Sequence, residues 1–355
     1  MLNTLAADRA LVADLDAKIQ DLERTLSALR SEKLLAEERL DAYKYPVLAL
    51  PNEIVCEIFI HFLPIYPICP PLTGLLSPIL LTHICRRWRE MALALPVLWR
   101  AITMYRNDDL VSTVLSRSGR CPLSIHIDDS NNLSGFLAIL PEYSRLEYLK
   151  FRLTSFRDGP CIDGPMPLLR HIDFILDYTS EEPYVLLGAA PLLRTAIFDV
   201  YAAMNVMSTF PWAQLTSLTL TAMVMHECFP ILQKTPDLVH YELHLHLFDE
   251  PSHSQGVEVT LPSLESLVLR DPDPDEYPPP FTYLQHFIVP TLRSLQIPER
   301  FLEPDPIDAL ASFISKSGCK LQRVDVTNRQ SVPESSYRTA FPGIPMFVFT
   351  PYMDN

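Results

Sequence analysis

The feature that most constrains this chain is a frame, Leu-x-x-apolar-x-apolar, which returns eight times between residues 146 and 326. Its copies are Leu146/Leu149/Phe151, Leu169/Ile172/Phe174, Leu193/Ala196/Phe198, Leu215/Leu218/Leu220, Leu238/Tyr241/Leu243, Leu264/Leu267/Leu269, Leu292/Leu295/Ile297 and Leu321/Val324/Val326, with starts 22 to 29 residues apart. Single matches to so loose a frame are common, but eight at near-constant spacing describe a structural repeat. The apolar-x-apolar end alternates as a short strand does. Proline stands just ahead of many copies, at Pro167, Pro191, Pro236, Pro262 and Pro290. With 33 Pro against 9 Gly in the chain, many short elements separated by rigid turns are expected.

This pattern resembles a leucine-rich-repeat solenoid, an α/β horseshoe. It departs from that family eight residues after the first Leu, where the consensus places an Asn or Cys that bonds the neighbouring turn. Here the position holds Thr154, Asp177, Tyr201, Met223, His246, Pro272, Arg300 and Arg329. The solenoid is therefore expected to be irregular, with varied connectors. A helix over 307–317 ended by Gly318 fits one of them. Ahead of the repeat, a helix from Asp108 or Asp109 to Gly119 leads into a strand that turns Leu123, Ile125 and Ile127 to one face. Residues 332–355 have no clear period and read as a cap or tail.

Two helices expected between Val47 and Trp99 have more apolar surface than they can hide. In the first, entered from Pro51 with Asn52 as its cap, Glu53, Glu57 and His61 form one thin polar stripe and the rest is apolar. In the second, Leu81, Cys85, Trp88, Ala92 and Leu95 form a stripe that Leu80 and Ile84 widen. Surplus of this kind marks a docking surface. The segment between them lacks charge from Ile58 to Cys85, yet Pro64, Pro67, Pro70, Pro71 and Pro78 interrupt it, which a membrane span does not tolerate. It reads as a long apolar loop.

Residues 1–44 contain no Gly or Pro and carry a heptad seam. Leu5, Val12, Ile19, Leu26 and Leu40 hold one seam position, and Leu15, Leu22, Leu29, Ala36 and Tyr43 the other, with Asp8 and Lys33 as exceptions. Such a seam packs on another helix, either in a second copy of the chain or in the body of this one.

The net charge of −14 argues against nucleic acid as a ligand, which calls for a basic face. Seven cysteines without a Cys-x-x-Cys pair suit free thiols in a reducing compartment, and the charged N-terminus is not a secretory signal. No nucleophile elbow, phosphate loop or dinucleotide fingerprint is present, so no catalytic residue and no cofactor are expected. The one enzyme lead is His240, Glu242, His244 and His246, which alternate along a predicted strand and would share a face able to bind zinc. Alternation alone produces the same pattern, and no further His or Cys is placed to complete a site, so the solvent face of a strand is the preferred reading and no metal site is assigned.

Three words in order, Leu50-Pro51-Asn-Glu53-Ile54 with Ile58-Phe59, then Ile84-Cys85-Arg-Arg-Trp88-Arg89, then Leu98-Trp99, resemble an F-box. The segment 64–78 between them is longer and richer in Pro than is usual in that family. A coiled coil, an F-box and a Pro-punctuated repeat together are similar to the large F-box families of mushroom-forming fungi. The resemblance implies a substrate receptor of a Skp–cullin–F-box ubiquitin ligase, cytoplasmic or nuclear, with no chemistry of its own. Leu50, Pro51, Ile54, Ile58, Ile84, Cys85 and Trp88 would contact a Skp-type adaptor and, through it, cullin. The repeat would hold an unknown protein target on its concave face, where Lys150, Arg152, His171, Asp173, His240, Glu242, His244 and Arg270 point outward. The alternatives are an F-box and repeat scaffold acting outside a ligase, and a metal-binding protein using His240, His244 and His246. The expected organisation is a coiled-coil helix over 1–44, a small all-α F-box over 45–105, the repeat over 106–331 and the tail.

Overall fold

A computed structural model describes residues 2–42, 46–104, 108–128, 139–153, 164–176, 188–245, 258–270, 283–328 and 332–350. The chain forms two compact units, Met1–Ile58 and Phe59–Asn355. It is an α/β protein: a long N-terminal helix, then an eleven-stranded parallel sheet with interspersed helices, consistent with a leucine-rich-repeat-like α/β repeat. Among the described residues no helix is long and apolar enough to cross a membrane.

In the first unit, α1 (Leu2–Ala42) is a single helix, as expected of a stretch without Gly or Pro. The next helix, α2 (Asn52–Phe62), begins in this unit. Its first intrahelical bond runs from the Val55 N–H to the Pro51 carbonyl at 3.1 Å. Asn52 is thus already helical, one residue earlier than the sequence suggested.

In the second unit, the expected second helix is two. The first, α3 (Pro78–Ile84), starts at Ser77, whose Oγ accepts from the Ile79 N–H at 3.2 Å, with Pro78 at the position where no N–H is needed. The second, α4 (Arg86–Ala94), follows after one residue. Cys85 breaks the run because its backbone is extended, and it caps α4 through its thiol, which accepts from the Trp88 N–H at 3.4 Å. Trp99 closes this region, buried and donating from Nε1 to the Ala92 carbonyl at 2.8 Å.

The sheet runs in chain order. Its strands are β1 (Ala101–Met104), β2 (Leu123–Asp128), β3 (Leu146–Leu153), β4 (His171–Leu176), β5 (Thr195–Asp199), β6 (Ser217–Met223) and β7 (His240–Leu245). The short β8 (Val259–Thr260) leaves the sheet to pair with β10 (Phe287–Ile288), while β9 (Ser266–Arg270), β11 (Ser294–Pro298), β12 (Arg323–Thr327) and β13 (Met346–Thr350) continue it. Each of the eight frames supplies one strand from β3 to β12. The parallel register stacks frame on frame, so Leu149, Ile172, Ala196, Leu218, Tyr241, Leu267, Leu295 and Val324 form one buried row. Phe151, Phe174 and Phe198 lie in the next, with ring centroids 4.1 and 6.3 Å apart.

The leading Leu of each frame is buried, as the first residue of β3 and two residues ahead of each later strand. The backbone after it hooks onto the preceding coil: the Thr216 carbonyl accepts from the N–H groups of both Val239 and His240 at 2.9 Å, and the Glu265 carbonyl from Arg293 and Ser294 at 2.9 and 3.0 Å. This backbone hook repeats from coil to coil. Connectors include α5 (Asp108–Arg117), α6 (Val200–Val206), α7 (Met225–Leu232), α8 (Pro306–Ser317) and α9 (Glu334–Ala340). The helix α8 ends at Gly318 in a left-handed conformation, φ 67°.

The sheet also extends past the expected limits of the repeat at both ends. β1 lies inside the segment read as the docking module, and β13 inside the segment read as a tail. Neither carries the full frame. β13 is held because its backbone pairs with β12 and because Arg338 of α9 donates to the Phe347 carbonyl at 3.2 Å.

Candidate functional site

The residues expected to make contacts lie on two surfaces. On α2, Ile54 and Ile58 stand one turn apart and are 48% and 40% exposed, an unusual cost for isoleucine on a helix that already has a polar stripe. Pro51 is also exposed, and Leu50 is half-buried. In the second unit, Ile84 at the end of α3 is 54% exposed and Leu80, one turn before it, is exposed too. Cys85 is half-buried as the cap of α4. Trp88 is half-buried edge-on against Phe59 with ring centroids 4.9 Å apart, and among the described residues its indole N–H has no hydrogen-bond partner. A buried indole donor left unpaired is costly, so Trp88 combines packing with an unmet polar need.

Beside these helices a cleft of about 560 Å³ opens between the start of the Pro-rich loop and the turn into β1. Ile60, Leu63, Pro64, Ile65, Ile68 and Val97 make it mainly apolar, with His61 and Arg100 at its wall. The loop itself does more than join two helices, as sequence reading had it. It lies on the outward face of the first strands. The Tyr66 hydroxyl donates to Glu147 Oε2 at 2.9 Å, and Arg170 Nε donates to the other oxygen at 3.1 Å. Ser124 Oγ donates to the Pro67 carbonyl at 2.6 Å, and the Arg100 guanidinium sits 3.9 Å above the Tyr66 ring. Burial first, then the Glu147 carboxylate, pushes the Tyr66 hydroxyl well above its usual range. Tyr148, two residues before Lys150 on the outward face of β3, meets Tyr66 edge to face at 5.4 Å. The sequence carried no signal for this docking, since it joins residues 81 apart.

The outward face of the sheet is the second surface, and every described residue expected there is on it. Lys150 and Arg152 of β3 are exposed, while His171 is half-buried and Asp173 buried. Lys150 Nζ lies 2.8 Å from Asp173 Oδ2 across the β3/β4 ladder. Burial, helped by Lys150 and opposed by Asp173, lowers the His171 pKa from its usual 6.5. Farther along, His240 is exposed, and Glu242 accepts from Arg270 of β9 and pairs with His244 Nε2 at 2.9 Å. The His244 contact first, and Arg270 next, outweigh burial and hold the Glu242 carboxyl at about 2. Its Oε1 is engaged by both Arg270 and the His244 ring, so that oxygen is already committed within the protein. His246 lies outside the described residues, and among those described no cluster of His, Cys, Asp or Glu could hold a metal ion.

Sequence reading missed three polar side chains that tie coils together. Asp199 accepts from the N–H groups of Ala202 at 2.8 Å and Leu176 at 3.0 Å, which caps α6 and holds the end of β4. Glu299, 1% exposed, accepts from the Tyr337 hydroxyl at 3.0 Å. Arg145 donates to Ser118 Oγ at 2.7 Å and to the Cys121 carbonyl at 2.9 Å. Such bonds tie neighbouring coils in a repeat that lacks the Asn or Cys of the leucine-rich consensus. Compared with protein-family models and with curated proteins, the chain matches none.

Proposed function

We propose that this chain is the substrate-recognition subunit of a Skp–cullin–F-box ubiquitin ligase, with a small all-α F-box that docks a Skp-type adaptor and an irregular leucine-rich-repeat solenoid that binds a protein target. The observation that carries the reading is that the first two F-box-like words fall on α2, α3 and α4 with their isoleucines Ile54, Ile58 and Ile84 exposed, while the third, Leu98-Trp99, is buried and closes the region. Exposed apolar side chains at these positions are what an adaptor would cover.

The sequential parallel sheet supports the second half of the proposal. Its outward face from β4 to β9 presents mixed charges and small hydroxyls, a surface suited to a protein rather than a small molecule. The chain performs no chemistry in this reading. It raises the local concentration of substrate lysines near a ubiquitin-loaded enzyme held elsewhere in the assembly, in the cytoplasm or nucleus.

The test is co-purification with a Skp-type adaptor and cullin. Wild type should recover both, and Leu50→Ala combined with Pro51→Ala should lose them while the far-ultraviolet circular dichroism of the sheet is unchanged. Failure of the wild-type chain to bind the adaptor would sink the proposal.

A further inference from the structure

The helix α1 runs for 41 residues, and its side chains from residue 7 to residue 40 are exposed. Along its seam, Val12, Leu15, Ile19, Leu22, Leu26 and Leu29 are between 48% and 67% exposed. A stripe of that length in water calls for a second helix. Two charged residues interrupt it, and their placement selects the partner and its direction. Asp8 occupies the same seam position as Leu15, Leu22 and Leu29, whereas Lys33 occupies that of Val12, Ile19 and Leu26. In a parallel pair of identical helices each seam residue faces its own copy, so Asp8 would meet Asp8 and Lys33 would meet Lys33. In an antiparallel pair the two kinds of seam position face one another. The alignment that sets Asp8 opposite Lys33 of the second copy also sets Val12 opposite Leu29, Leu15 opposite Leu26 and Ile19 opposite Leu22. Both charged seam residues then meet their opposite charge, and the apolar seam residues from Val12 to Leu29 meet one another.

We propose that α1 pairs with a second copy of this chain as an antiparallel coiled coil, aligned by two Asp8–Lys33 ion pairs. Lys33 already reaches Glu37 of its own helix at 3.5 Å, but both side chains are largely exposed, so that contact is weak and does not compete strongly. At 1.5 Å per residue the rod is about 60 Å long. The two C-terminal ends leave from opposite ends of it, which makes the pair a bivalent receptor able to hold two sites on one target or two targets at once.

Zero-length carbodiimide crosslinking of the full chain, followed by peptide mass spectrometry, reads the geometry directly. Asp8 and Lys33 of one helix are about 37 Å apart, so an Asp8–Lys33 link forms only between two copies placed head to tail. Sedimentation equilibrium should show a dimer. Asp8→Lys or Lys33→Asp alone should weaken it on the order of tenfold, and the two together should restore it. In a parallel dimer the double variant would keep both like-charge layers and would not recover. A monomer, a larger oligomer, absence of the crosslink, or a double variant as weak as the singles would each overturn the proposal.

Discussion

Truncating Phe174 to alanine is the sharpest probe of how the sheet is held. Its side chain is fully buried, stacked on Phe151 at 4.1 Å and edge-on to Phe198 at 6.3 Å. A phenylalanine hides roughly 150–200 Å² of surface, worth about 4–5 kcal/mol at ~25 cal/mol per Å², of which the remaining methyl keeps about 1. The two ring contacts add about 1 kcal/mol. The neighbouring rows cannot close the gap, because β3 and β5 are fixed on either side by backbone ladders. The net expectation is a loss of about 4 kcal/mol, within the range of roughly 3–5 seen for buried aromatics. Urea unfolding followed by circular dichroism and tryptophan fluorescence measures it, with Trp212 as the local reporter because its ring lies 5.4 Å from Phe198. Each strand pairs only with its two neighbours, so amide exchange should speed up most in β3 to β5 and least in β12 and β13. The exposed Lys320→Ala is the control, expected to stay within about 0.5 kcal/mol. A loss below about 1 kcal/mol for Phe174→Ala, or exchange rising evenly along the sheet, would refute the close-packed ladder.

Asp199→Ala removes the acceptor for two backbone N–H groups and should cost about 2–4 kcal/mol, read from the urea midpoint; a change under 0.5 kcal/mol would mean water replaces it freely. The Glu242 carboxyl, held at about 2 and so below its unfolded value of 4.5, adds stability that is present above pH 4.5 and fades as pH falls towards 2. Arg270→Ala should raise that pKa, as carbon-detected carboxyl titration would show, and an unmoved value would deny the contact. His171, whose pKa lies below the usual 6.5, binds a proton less readily folded than unfolded. Its contribution is therefore complete above pH 6.5 and declines as pH falls through the folded value, and proton NMR should report an upward shift in Lys150→Ala.

Much of the architecture was legible because it rests on period. Each Leu-x-x-apolar-x-apolar frame marked a strand, since alternate side chains must go to one face whatever lies elsewhere in the chain. Continuous α1 followed from the absence of Gly and Pro over residues 1–44. The candidate face at Lys150, His171, Glu242 and Arg270 was legible for the same reason, as the positions between buried ones. The break at Cys85 was not, because neither Gly nor Pro marks it and the thiol that caps α4 reads in a sequence as one more apolar residue. Nor was β13, whose place depends on pairing with β12 and not on a frame of its own.

By itself, then, the sequence determined which residues of the eight frames are strand, which face of each of those strands is buried, and that α1 and the helices after it carry apolar surface in excess. Tertiary structure alone decided that the Pro-rich loop lies on the first strands, that Glu147 is shared by Tyr66 and Arg170, and that Asp199 and Glu299 join neighbouring coils. The physical reason is range. Periodicity records what each residue does relative to its neighbours in the chain, whereas a hydrogen bond between Tyr66 and Glu147 depends on where folding brings two distant segments, and no local pattern encodes that meeting.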